Sequence, residues 1–286
     1  ALPPSVEKAV DVMIDEGPRG VAGLRQSALE DLLGRVPASR SESAEMYRAA
    51  PRHVKAVAAA ASPSGLNPAL VAHYVKSLGW HDPELVGHLV QGFPLVGDLP
   101  ISQSAPTHDV RKPVETPEQL IQRAEAVRAR MLSEQERFHS SSSEEIDRKI
   151  FEQTLDEIAL GRMSELVEPD DADLASLPVT RRFGVVQQAS DGQDKVRCID
   201  DFAASGVNDT TRVRRKIVAG RVSHLVETSR RLSRGRPLDA QRLVKSDFKS
   251  AYRACPINED GLRFSVIAVR DPKVGRVRLS RQFAMP

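Results

Sequence analysis

Apolar residues recur at helical spacing through the first half of the chain and shift to strand-like alternation near Arg181. "SVEKAVDVMIDEG" sets Val6, Val10 and Met13 on one helical face behind a cap at Ser5. "LNPALVAHYVKSLGW" and "DPELVGHLVQGF" each place a proline in the first helical turn, where its missing N–H costs nothing. Trp80 and Phe93, which end these segments, are expected to anchor the core. "LPISQSAPTHDVRKPVETP" holds four prolines and few large apolar residues, so it reads as a linker. Thr116-Pro117-Glu118-Gln119 is a capping box, followed by Leu120, Ala124, Val127 and Met131 on one face. The serine run 140–143 breaks that helix. Ser142 with Glu145 caps the next one, which faces inward through Ile146, Ile150 and Leu155 and ends at Gly161.

After a loop, "VEPDDADLASLPV", the period changes. "RRFGVVQQ" and "KVRCID" are expected strands joined by "ASDGQD", whose Asp191-Gly192 is a hairpin turn. "ASGVNDTT" reads as loop, "HLVETSRRL" as helix and "RLVKSDF" as strand, while "LRFSVIAV" and "GRVRLSRQF" are strands around the turn "RDPKVG". The fold class is therefore α+β, with a helical N-terminal region followed by a mixed C-terminal half. The expected organisation is a helical region at 1–100, a Pro-rich linker at 101–116, a helical lead-in at 117–175 and an α+β unit at 176–286. The chain opens at Ala1 and closes on "RQFAMP" with neither a helix stop nor a polar tail, so both ends are expected to be cuts in a longer product.

Charge sharpens this division. The net charge of +2 hides roughly 28 acidic against 18 basic residues up to Ala175, then roughly 11 against 23. A basic C-terminal half suits a polyanion, although a solvated positive face would look the same. Aromatics make up only 4% of the residues, which argues against a large stacking surface for single strands. Cys198 and Cys255 give neither a disulfide framework nor metal spacing, and the histidines stand singly. With no apolar run of membrane length and no secretory leader, the expected location is intracellular, cytoplasmic or nuclear.

Two stretches of the basic half carry candidate chemistry. In "RLVKSDF" a strand would set Lys245, Asp247 and Lys249 on one face, either as a salt-bridge row or as a carboxylate held rigidly for a hard divalent cation. In "KVRCID" Lys195 and Arg197 share a face and could grip a triphosphate. "KVRCIDDF" with "GVN", then "VKSDFKSAYRACPI" and "RFSVIAV", resembles in order and spacing the fingers and early palm of reverse transcriptases, over Arg181 to Pro286. "GVND" and "HDPELVGHLVQGF" are similar to segments of retroelements of the tyrosine-recombinase kind.

The resemblance implies a right-hand polymerase with Mg2+ as cofactor, and a template-primer of RNA or DNA and deoxynucleoside triphosphates as partners. Asp247 would be its first catalytic aspartate and a metal ligand, helped by the Phe248 carbonyl. Lys195 and Arg197 would meet the triphosphate, and Tyr252 would lie beneath the sugar, where its ring excludes a ribose 2′-hydroxyl. Asp201, Phe202 and Asn208 would shape the fingers near the template, with Gly206 and Asn208 forming the turn after the hairpin. The family's Tyr-x-Asp-Asp strand does not occur in this sequence, so these 286 residues are expected not to polymerise alone. Two alternatives remain at this stage: a domesticated derivative that binds nucleic acid without catalysis, and an unrelated α+β interaction protein.

Overall fold

The structure, a computed structural model, describes residues 2, 4–62, 64–80, 82, 84–98, 113–133, 143–188, 194–212, 221–234 and 251–286. The expected strand "RLVKSDF", the Asp191-Gly192 turn, Ser142 and most of the expected linker lie outside the described residues.

The N-terminal helix α1 (Pro4–Met46) runs far beyond the segment expected from its periodicity, and starts one residue ahead of Ser5. It bends at Gly17 (φ 67°, ψ 177°), because Pro18 disfavours helical geometry in the residue before it and glycine accepts the positive φ. Helix α2 (Arg52–Ala60) buries Val54, Val57 and Ala58. Helix α3 (Pro68–Ser77) opens on Asn67, whose side-chain oxygen accepts from the Leu70 N–H at 3.0 Å and from the Ser43 hydroxyl at 2.7 Å. One capping residue thus fixes α3 to the end of α1. Helix α4 (Leu85–Gln91) stops at Gly92.

Trp80 departs from expectation: it is 48% exposed beside Leu78 at 73%. The chain turns through Gly79 (φ 58°), and the Trp80 N–H closes the helix on the Val75 carbonyl. The ring is therefore left on the outer face, among Leu70, Tyr74 and Leu85.

The capping box at Thr116 is present in both directions and opens α5 (Pro117–Gln122). A break at Arg123 separates it from α6 (Ala124–Ser133), yet Leu120, Ala124, Val127 and Met131 all remain buried. Helix α7 (Glu144–Ala159) starts after Ser143, one residue later than the expected Ser142 cap and without a side-chain capping bond, and stops before Gly161 (φ 69°), as the sequence implied. It buries Ile150, Phe151 and Thr154, while Leu155 is 42% exposed. The buried stripe follows the i, i+4 row from Ile150, and the next residue is rotated off that row.

Four strands form the main sheet in the order β3-β2-β5-β6. The hairpin of β2 (Val179–Gln188) and β3 (Asp194–Asp200) is antiparallel, with Val185 opposite Arg197 and Arg182 opposite Asp200. β5 (Val266–Asp271) runs parallel to the first residues of β2, and β6 (Arg276–Arg281) returns antiparallel to β5. Leu262 to Phe264, expected in the strand, form a 3-10 turn instead. Helix α7 packs on β2, β3 and β5, and α6 on β2. The root of β2 is buried and its outer half exposed, so the hairpin projects from the sheet.

The N-terminal region is joined to the C-terminal half by backbone pairing outside this sheet. Gly97–Asp98 (β1) pairs in parallel with Thr211–Arg212 (β4). Phe93 bridges Ile257, donating to the Pro256 carbonyl at 2.7 Å and accepting from the Asn258 N–H at 2.9 Å. Here Gly92 (φ 97°) is required, since a Cβ would lie 2.5 Å from the Asn258 backbone. The main apolar cluster draws on all these parts: Leu95, Leu120, Met131, Met163, Phe202, Ile257 and Ile267. Full burial of each such side chain contributes about 1.5–3 kcal/mol. Helix α8 (Val222–Leu232) lies against α1, where Arg231 pairs with Glu7 at 2.8 Å.

Candidate functional site

The β2–β3 hairpin has two chemically different faces. Lys195 and Arg197 alternate with Val196 and Cys198, and the register sets them beside Gln187 and Val185. Both cations are exposed, and neither has an ion-pair partner among the described residues. The opposite face packs on α7, where the Cys198 thiol donates to the Gln153 side-chain oxygen at 3.1 Å and the Gln153 amide donates to the Val196 carbonyl. At the root of the basic face, the Arg181 guanidinium lies 5.5 Å from the Phe183 ring centroid.

The root of the inner face holds a buried ion cluster. Arg182 has 1% of its side chain exposed and Asp200 has 3%. The Arg182 Nε donates to one carboxylate oxygen at 2.7 Å and Nη2 to the other at 2.9 Å. Nη2 also donates to the Gln282 Oε1 at 2.9 Å, and Nη1 to the Thr154 hydroxyl at 3.1 Å and the Met163 sulfur at 3.2 Å. Every donor of the guanidinium is thereby used. Burial works against its charge, but the Asp200 carboxylate outweighs burial and raises its pKa above the ordinary arginine value.

A second guanidinium shares this carboxylate less well. Arg253 Nη2 stands 3.8 Å from Asp200 Oδ2, and Arg253 Nη1 is buried without a hydrogen-bond partner. Burial pushes its pKa down; Asp200 opposes the fall and the like charge of Arg182 adds to it. An unmet buried donor costs about 1–3 kcal/mol. Asp200 is closed in by Arg182 and Arg253, so the cluster forms a joint between the hairpin root and the turn at Arg253. Burial raises the pKa of both the Cys198 and the Cys255 thiol.

The expected site residues fall into distinct settings. Lys195 and Arg197 stand open on the hairpin. Tyr252, 74% exposed, sits on a 3-10 turn (Tyr252–Ala254) directly before Arg253. Asp201 accepts from Arg181 Nη2 at 2.8 Å and from the Ala204 N–H at 3.0 Å, and so shapes the turn that leaves the hairpin. Phe202 is 6% exposed within the apolar core. Asn208 follows Gly206 (φ 83°) and closes the turn through its N–H to the Phe202 carbonyl. Glycine is needed there as well, because φ 83° strains any residue that carries a Cβ; the Arg123 side-chain end 2.7 Å from such a Cβ could move aside. Asp247 and Phe248 lie outside the described residues. Among the described residues, no three His, Cys, Asp or Glu side chains gather as a metal site.

Sequence reasoning passed over the ion cluster. Its signal was the facing pairs Arg181-Arg182 and Asp200-Asp201, which the hairpin turn brings opposite each other. Nothing in the sequence marked Arg253, Gln282 or Thr154, because each arrives from a distant segment. No protein-family model matches this chain, and comparison with curated proteins finds no match. None of the described helices is long and apolar enough to cross a membrane.

Proposed function

We propose that this chain carries the fingers and first palm strand of a retroelement reverse transcriptase, a template-directed DNA polymerase that uses deoxynucleoside triphosphates and magnesium. The observation that carries this reading is the 3.8 Å approach of Arg253 to Asp200. Asp200 of "KVRCIDDF" and Arg253 of "SDFKSAYRACPI", 253 − 200 = 53 residues apart in the chain, meet in one ion cluster. On one side of the joint the hairpin raises Lys195 and Arg197, and on the other the turn leaves the Tyr252 ring open. That pairing of a phosphate grip with a sugar-facing ring suits a nucleotide.

Magnesium in this reading rests on Asp247 together with carboxylates that a Tyr-x-Asp-Asp strand would supply, and this sequence contains no such strand. Two metal ions about 3.5–4 Å apart need more than one carboxylate. Primer extension by these 286 residues is therefore expected to be absent. In a longer form with that strand, Asp247→Ala is expected to abolish extension and leave binding intact.

The direct test on the chain is binding to a deoxynucleoside triphosphate across a salt series. Charge-assisted contacts to phosphate weaken with salt, and removal of Lys195 and Arg197 together should weaken binding by at least about tenfold and flatten that salt dependence. A chain without measurable affinity at low salt, or a salt dependence that the double variant leaves unchanged, refutes the assignment of this face.

A further inference from the structure

Arg253 is poorly suited to stabilising the fold. Asp200 is already held by two short bonds from Arg182, whereas Arg253 reaches it only at 3.8 Å and leaves Nη1 buried without a partner. A methionine would fill similar space with no charge to desolvate. Arg253 does, however, control a place. It adjoins Tyr252 on a turn closed by Ala254 N–H to the Ala251 carbonyl, Cys255 N–H to the Tyr252 carbonyl and the Cys255 thiol to the Ala251 carbonyl at 3.8 Å. Beyond the turn the backbone is fixed, since Met285 donates to the Cys255 carbonyl and Ile257 to the Phe283 carbonyl. The guanidinium is the one side-chain tether from the turn to the hairpin root among the described residues.

We propose that Arg253 is a positioning residue, which sets the Tyr252 ring at a fixed distance from the Lys195 and Arg197 face through the shared Asp200 carboxylate. This rests on the polymerase reading, in which one deoxynucleotide touches both. Arg253 itself touches no nucleotide. Its effect is on discrimination at the sugar, because a ring that drifts no longer excludes a 2′-hydroxyl.

The test uses R253M and R253K in the 286-residue chain, with amide exchange read over residues 251–257 and titration with dUTP and with UTP in magnesium. R253M should exchange up to about fivefold faster in that segment, the factor by which losing one weak ion pair raises an opening equilibrium. Its preference for dUTP over UTP should fall toward unity, and R253K should recover much of both, including if R253M folds poorly. Unchanged exchange in that segment, or a dUTP/UTP ratio that R253M leaves intact, overturns the positioning role. A wild-type chain that binds neither nucleotide overturns the polymerase reading instead, while the exchange arm still decides whether Arg253 holds the turn.

Discussion

Replacing Asp200 with asparagine removes the counter-charge of two buried guanidinium groups while keeping the shape of the side chain. Arg182 loses one of its two carboxylate bonds outright, because the new amide nitrogen presents hydrogens to a group that is itself only a donor. Arg253 loses its only described ion partner. Removing one partner of a buried pair costs about 3–5 kcal/mol, most of it from the charge left behind. Against a typical total of about 5–15 kcal/mol this is a large share, and it corresponds to a fall in Tm of roughly 6–20 °C. Urea unfolding followed by far-UV circular dichroism measures the loss. With both partners 3% exposed or less, the loss should be nearly the same at low and at molar salt, since screening reaches exposed charges. The triple variant with Arg182→Met, Asp200→Leu and Arg253→Met should recover most of the stability, because an apolar replacement of a whole buried ion set is often close to neutral. A cost below about 1 kcal/mol for Asp200→Asn would show that this carboxylate does not compensate the two cations.

Two further outcomes follow from the geometry. Gly92→Ala should destabilise by at least about 2 kcal/mol in the same urea assay, since it adds a Cβ 2.5 Å from the Asn258 backbone and forces alanine to φ 97°; a loss within about 0.5 kcal/mol would contradict that packing. Tyr47, whose hydroxyl donates to the Leu89 carbonyl at 3.3 Å, is pushed up to about 12 by burial from the usual 10.0. A raised folded value gives stability that is complete below pH 10 and lost as pH rises toward 12, so Tyr47→Phe should flatten the alkaline unfolding limb in that window; identical limbs would refute it.

The elements that were legible in the sequence are those fixed by local chemistry. The Thr116 capping box, the Pro68 helix start and the Gly161 stop depend on residues within a few positions of one another, and the β2–β3 pairing on two strands that follow each other directly in the chain. Trp80 was misjudged because its hydrophobicity said nothing of the direction in which Gly79 turns the chain. Leu155 was misjudged because it is one residue off a stripe set by the sheet beneath it. The candidate site divides in the same way. Alternation alone placed Lys195 and Arg197 on the solvent face. The Arg182–Asp200–Arg253 joint depends on three segments meeting, and only Arg182 and Asp200 were within reach of a hairpin register.

The bridge between Phe93 and Ile257 has a consequence for the order of events during synthesis. These partners are separated by 257 − 93 = 164 residues, so the backbone groups of Phe93 and the apolar side of Leu95 stay uncovered until much later chain has emerged. At ordinary translation rates that interval is roughly 10–30 s. A nascent helical region left half-packed for so long is a natural client for a chaperone that shields sticky surface.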